Sequence, residues 1–119
     1  MPRDAQLLTF VETSMFTRRI ALLELDDALR DLQLQLLDNP EAGEVDPGTG
    51  GLRKIRMAEP ARQKGKRGGA RIHYLWLARR KTIYLIFVYS KAERATLTAV
   101  QKARLREVVK EIKQAGGRA

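Results

Sequence analysis

The sequence predicts a single small α+β domain, and three observations carry that expectation. Apolar residues recur at helical spacing between residues 16 and 37, three strand-like runs follow one another between residues 52 and 89, and an amphipathic stretch closes the chain. At 119 residues there is room for one hydrophobic core, so 1–119 is read as one domain. Apolar residues at 44% and charged residues at 31% suit a folded chain with a polar surface.

Leu7 to Val11 is a short run with β-branched and aromatic members, which predicts a first strand. Phe16 to Leu23 suits a short helix. From Asp26 to Leu37, Leu29, Leu32 and Leu36 keep to one helical face with Leu25 just before them, while Arg30, Asp31 and Gln33 interrupt it with polar groups. Asp26 and Asp27 stand in the first turn, where the helix dipole favours acids. Pro40 ends the segment by disfavouring the α conformation at Asn39. Residues 43–51 carry Asp46-Pro47-Gly48 and Gly50-Gly51 and read as loop. In the run from Leu52 to Ala58, Leu52, Lys54, Arg56 and Ala58 share one strand face and Arg53, Ile55 and Met57 the other.

The Gly-rich, charged run 61–69 is read as a second loop. Arg71 to Leu77 and Thr82 to Tyr89 are the strongest strands, joined by a turn at 78–81, and their short connection favours an antiparallel meander. Thr98 and Gln101 have capping-box spacing, and Leu105, Val108, Val109 and Ile112 stripe a helix ending near Gly116-Gly117. The order β-α-α-β-β-β-α thus predicts an antiparallel-dominated sheet of about four strands, packed by helices on one face and open on the other.

Composition narrows the chemistry. The absence of cysteine removes disulfides, thiolate zinc sites and thiol nucleophiles, and a single histidine excludes a histidine-rich metal site, so no metal and no cofactor are expected. No apolar run approaches the ~20 residues that span a bilayer, and Leu7-Leu8 makes no signal-peptide core, so a soluble cytoplasmic protein is expected. The net charge of +9 is unevenly spread: residues 1–52 carry −6, residues 53–94 carry +11 and the remainder +4. A cationic middle of that density points to a polyanionic partner.

Lys54, Arg56 and Arg71 on adjacent strands, beside a basic loop, are expected to form a cationic concavity. Such groups neutralise phosphates and, where water is excluded, stabilise the charge that develops when a phosphate is attacked. RNA carries its own nucleophile in the 2′-hydroxyl, so positioning and charge stabilisation suffice for cleavage without metal or thiol. Such an enzyme also needs a proton acceptor and a proton donor. His73, two residues from Arg71 and on its strand face, is one candidate, and a lysine depressed by neighbouring cations is another.

Three stretches carry a family resemblance: Gly48 to Arg56 (G-T-G-G-L-R-K-I-R), Gly65 to Tyr74 (G-K-R-G-G-A-R-I-H-Y) and Ile83 to Glu93, which contains Y-S-K-A-E. Together they resemble the HigB branch of the RelE/ParE toxin superfamily, over nearly the whole chain. The resemblance implies a RelE-like fold and the toxin of a type II toxin-antitoxin pair, a ribosome-dependent mRNA endonuclease that cuts translated mRNA in the A site of the 30S subunit. It further implies silencing by a cognate antitoxin with a helix-turn-helix domain, in a hetero-oligomeric complex. Family catalytic positions fall on Lys54, Arg56, Arg71 and Lys91. The arginine that RelE carries one step after that lysine is Ala92 here, and its C-terminal tyrosine has no equivalent among Thr96, Leu97 and Thr98. Tyr89 and His73 are the candidates left for that proton-transfer role, while Arg53, Lys64, Lys66 and Arg67 are candidate contacts to RNA and the ribosome.

Other readings stand beside these. Trp76, Tyr74 and Tyr84 are expected to pack in the core, Tyr89 at a strand end is free to stack on a base, and Arg79-Arg80-Lys81 suits a solvated turn. A partly buried structural role is the commoner one for a strand histidine. For the whole protein, a gyrase poison of the ParE type and a non-enzymatic RNA- or ribosome-binding protein use the same basic surface.

Overall fold

The capping box expected at the start of the last helix is made as hydrogen bonds in the computed structural model, which describes residues 7–59, 69–94 and 96–116, and a second cap, not among those expected from the sequence, is made at Thr13. Thr13 accepts from the Phe16 amide at 3.1 Å. Thr98 and Gln101 exchange a reciprocal pair at 2.9 and 3.1 Å, the capping box that satisfies two orphan amides of a helix terminus. The element order is β1 (Thr9–Glu12), α1 (Ser14–Leu22), α2 (Asp26–Asp38), β2 (Glu44–Val45), β3 (Arg53–Met57), β4 (Ala70–Leu77), a 3₁₀ turn (Ala78–Arg80), β5 (Thr82–Ser90) and α3 (Ala99–Gly116).

The strands form one mixed sheet in the order β1-β5-β4-β3-β2. The antiparallel meander β3-β4-β5 is as expected, but five strands pair where about four were expected. Glu44 and Val45, inside the predicted 43–51 loop, pair antiparallel with Lys54 and Arg53. The first strand joins the other edge in parallel to β5, with Thr9 opposite Thr82.

Helices cover both sheet faces, which corrects the expectation of one covered and one open face. On the first face, Phe16 and Ile20 of α1 and Leu29, Leu32 and Leu36 of α2 bury against Ile55, Met57, Ile72, Tyr74, Ile83 and Leu85. Each such aliphatic side chain contributes about 1.5–3 kcal/mol by leaving water. On the second face, Leu105 and Val109 of α3 close with Leu97 over Leu52, Leu75, Ile86 and Tyr89. An apolar stripe on α3 needs a surface of its own, and the first face is already taken by α1 and α2.

A register shift lies between His73 and Tyr74: His73 pairs with Phe87 and Tyr74 with Leu85, so Ile86 is an extra residue in β5. One inserted residue reverses the in-out alternation beyond it. Ile83 and Leu85 therefore belong to the first core, whereas Ile86 and Tyr89 belong to the second. No helix among the described residues is long and apolar enough to cross a membrane.

Candidate functional site

Alternation along β3 sorts its cations. Ile55 and Met57 are buried in the first core, so Lys54 and Arg56 project from the opposite face. Across the ladder, Arg56 is paired with Arg71 and Lys54 with His73. Two guanidinium-bearing residues directly opposite each other repel, a cost that sheet packing alone gives no reason to carry. The side chains of Lys54, Arg56 and Lys91 make no hydrogen bond or ion pair with another described residue. Arg71 is mostly buried, with 7% of its surface exposed, and donates to its neighbour's carbonyl at Ala70.

These four residues line one groove of about 580 Å³, together with Gln35, Ala42, Gly43, Glu44 and Ile55. A second groove of about 400 Å³ shares Gln35 and Arg56 with it and is walled by Asp27 and Asp31 of α2. The cationic region is therefore bounded by acids on the α2 side.

The turns on either side of the groove are held by other side chains. The hairpin between β2 and β3 is closed by Thr49, whose hydroxyl donates to the Asp46 carbonyl at 2.6 Å and accepts from the Leu52 amide at 3.2 Å. From α3, Lys102 reaches the Asp46 carboxylate and the Pro47 carbonyl, each at 3.2 Å, and Arg106 reaches the Gly48 carbonyl at 2.6 Å. Gly48, Gly50 and Gly51 take the positive φ angles this turn requires. On the far side, Ser90 donates to Glu59 at 2.6 Å, and Glu93 accepts from the Ser90 amide at 2.9 Å while pairing with Arg19 of α1. Burial acts to raise the pKa of Glu93, but the bonds from Arg19 and the Ser90 amide outweigh it and hold the carboxyl below its usual range. In the Y-S-K-A-E motif, then, serine and glutamate set the turn and lysine is what the turn presents.

His73 and Tyr89 lie behind the groove, not in it, and both are fully buried. His73 Nε2 meets Asp46 Oδ2 at 2.8 Å. Burial pushes the imidazole pKa below 6.5; Asp46 pulls it back up, with Lys54 and Lys102 adding to the fall. The neutral ring therefore donates Nε2–H to Asp46, and Nδ1 is left without a partner. Burial acts to raise the pKa of Asp46 as well, but His73 and Lys102 outweigh it and hold the carboxylate below 3.8. Tyr89 is stacked on His73 with ring centroids 6.0 Å apart, its hydroxyl pKa raised by burial. The bulge at Ile86 and the cover of α3 are why this strand-end tyrosine cannot stack on a base as the sequence suggested. His73 and Asp46 brace the β2–β3 hairpin to β4, a positioning role, and neither His73 nor Tyr89 reaches a groove-bound ligand in this arrangement.

Arg53 is likewise removed from the groove. It lies on the opposite strand face, donating to the Gly43 carbonyl at 2.8 Å and pairing with Glu41 at 3.5 Å. Lys64, Lys66 and Arg67 lie outside the described residues. Arg80, read as part of a solvated turn, instead donates to the Ile112 and Lys113 carbonyls at 2.9 Å each and caps the end of α3. Trp76 packs partly buried against the first core. The Tyr74 hydroxyl donates to Pro40 and accepts from the Gly43 amide.

Sequence reasoning missed Glu44 and Gln35 as groove residues. A signal for Glu44 was present: the turn chemistry at 46–51 makes residues before it hairpin partners of residues after it, which sets Glu44 opposite Lys54. The groove can bind a phosphodiester with its cations, and among the described residues no cluster of His, Asp and Glu could hold a metal ion. No protein-family model matches the sequence.

Proposed function

We propose that this protein is a HigB-like toxin with a RelE-like fold, a ribosome-dependent endonuclease that cleaves translated mRNA. The observation that carries the reading is the groove in which Lys54, Arg56 and Lys91, whose side chains have no hydrogen-bond or ion-pair partner among the described residues, surround the mostly buried Arg71. Arg56 and Arg71 stand opposite each other on neighbouring strands, a spacing suited to gripping the non-bridging oxygens of one phosphate. In the proposed reaction the 2′-hydroxyl attacks the adjacent phosphorus, and the guanidiniums stabilise the extra charge of the five-coordinate phosphorane more than that of the bound phosphodiester. That difference is what lowers the barrier. The partners proposed are mRNA in the 30S A site, ribosomal RNA, and a cognate helix-turn-helix antitoxin that silences the toxin in a hetero-oligomer.

Primer extension on mRNA undergoing translation tests this. Wild-type protein should give cuts within codons that depend on ribosomes and vanish with Arg71→Ala. Intact mRNA alongside gyrase-dependent DNA breaks would overturn the reading in favour of a gyrase poison. Salt-sensitive RNA binding without any cut would reduce the protein to a binder.

A further inference from the structure

The groove is lined from three neighbouring strands, β2, β3 and β4, and by Lys91, which follows the next strand in the sheet, β5. Its two guanidinium residues lie on the inner pair, Arg56 on β3 and Arg71 on β4. On the flanks stand two groups of opposite kind: Glu44 on β2, and Lys91 immediately after β5. Among the described groove-lining residues Glu44 is the sole carboxylate; its side chain is exposed and bonded to no other described residue. We propose that Glu44 is the proton acceptor for the attacking 2′-hydroxyl and Lys91 the proton donor to the leaving 5′-oxygen, an assignment that rests on the endonuclease reading above.

Guanidinium and ammonium groups are hydrogen-bond donors only, so Arg56, Arg71 and the lysine candidate Lys54 accept no proton in their charged forms, whereas a carboxylate does. His73 and Tyr89 are sealed beneath α3 and the β2–β3 hairpin. Finally, in-line displacement puts the attacking and leaving oxygens on opposite sides of phosphorus, so acceptor and donor must approach from opposite flanks. Strands about 4.8 Å apart set β2 and β5 roughly 14 Å from each other, and Lys91 lies about 13 Å further along the strand from the β5 residue level with Glu44, Phe87. The diagonal of roughly 19 Å passes between Arg56 and Arg71, and the two side chains reaching inward narrow it to about the span of one phosphodiester with its acceptor and donor.

The atoms balance without a co-reactant. Glu44 takes the 2′-proton as the 2′-O–P bond forms; the P–O5′ bond breaks as Lys91 gives a proton to the 5′-oxygen. The products are a 2′,3′-cyclic phosphate and a 5′-hydroxyl, and solvent exchange resets both side chains.

The test is single-turnover cleavage of ribosome-bound mRNA by wild type, Glu44→Gln and Lys91→Ala. Each is assayed on an ordinary scissile linkage and on one whose 5′-oxygen is replaced by sulfur, a leaving group that needs no proton. On the ordinary linkage both variants should be slower by about 10²- to 10⁴-fold. Sulfur should restore Lys91→Ala and leave Glu44→Gln slow, and Glu44→Gln should also lose the acidic limb of the pH–rate profile. A Glu44→Gln rate equal to wild type, or one restored by sulfur, overturns the acceptor role; Lys91→Ala unrestored overturns the donor role. Wild-type protein inert on both linkages sinks the endonuclease reading itself, a different result from either. The Glu44 side chain is exposed and has no partner among the described residues, so Glu44→Gln should keep the wild-type circular dichroism spectrum and urea midpoint.

Discussion

Asp46→Ala removes the acceptor on which three elements converge: β4 through His73, α3 through Lys102, and the β2–β3 hairpin that carries Asp46 itself. His73 is fully buried and its Nδ1 already lacks a partner. Losing Asp46 leaves Nε2–H unsatisfied too, which costs about 1–3 kcal/mol. Lys102 is a quarter exposed, so its share is at most about 1 kcal/mol after solvent screening. The expected loss is therefore roughly 1–4 kcal/mol in urea unfolding, with the m-value unchanged. Asp46→Asn, which keeps an acceptor oxygen for His73, should lose less than half of that, and Lys102→Ala less again.

Acid should act on the same node. Because His73 is held below 6.5, the unfolded chain binds a proton that the native ring does not in the window between that value and the native pKa. Stability is full above pH 6.5 and falls as the pH drops through this window, at a limiting slope of about 1.4 kcal/mol per pH unit. Asp46, held below 3.8, contributes stability that is full above 3.8 and is lost as the pH falls through its lower native value. His73→Gln should abolish the first slope. An Asp46→Ala midpoint indistinguishable from wild type, or a stability that rises between pH 6.5 and 5, would refute the bracing role.

Arg56→Ala should leave the urea stability within about 0.5 kcal/mol of wild type, since the side chain has no partner among the described residues, while lowering the salt dependence of single-stranded RNA binding by about 0.7 in log–log slope. Gly43→Ala should destabilise the edge beside Glu44, because its Cβ would sit 2.9 Å from the Lys54 carbonyl oxygen and 3.0 Å from the Tyr74 ring; a midpoint equal to wild type would contradict that packing. Thr98→Ala should cost about 1 kcal/mol in thermal or urea unfolding by opening the capping box, and Thr98→Ser should recover most of it.

Local spacing was enough to place the helices and to sort β3. Leu29, Leu32 and Leu36 land on one side of α2 because its 3.6-residue period brings them there, and Lys54 and Arg56 part from Ile55 and Met57 because a strand alternates. Thr98 and Gln101 cap α3 because their partners are three residues away. Each of these is settled within one or two turns of chain. What lay beyond sequence depends on contacts between distant segments. Thr9 pairs with Thr82 by a parallel ladder that no local pattern encodes. One residue inserted at Ile86 turns Tyr89 from one sheet face to the other. With the first face occupied by α1 and α2, α3 takes the second and buries Tyr89 while His73 is sealed beside it, which leaves the four cations and Glu44 as the charged groups that line the groove among the described residues. Residue types supplied the charge, and strand register together with the choice of covered face decided which of those charges meet.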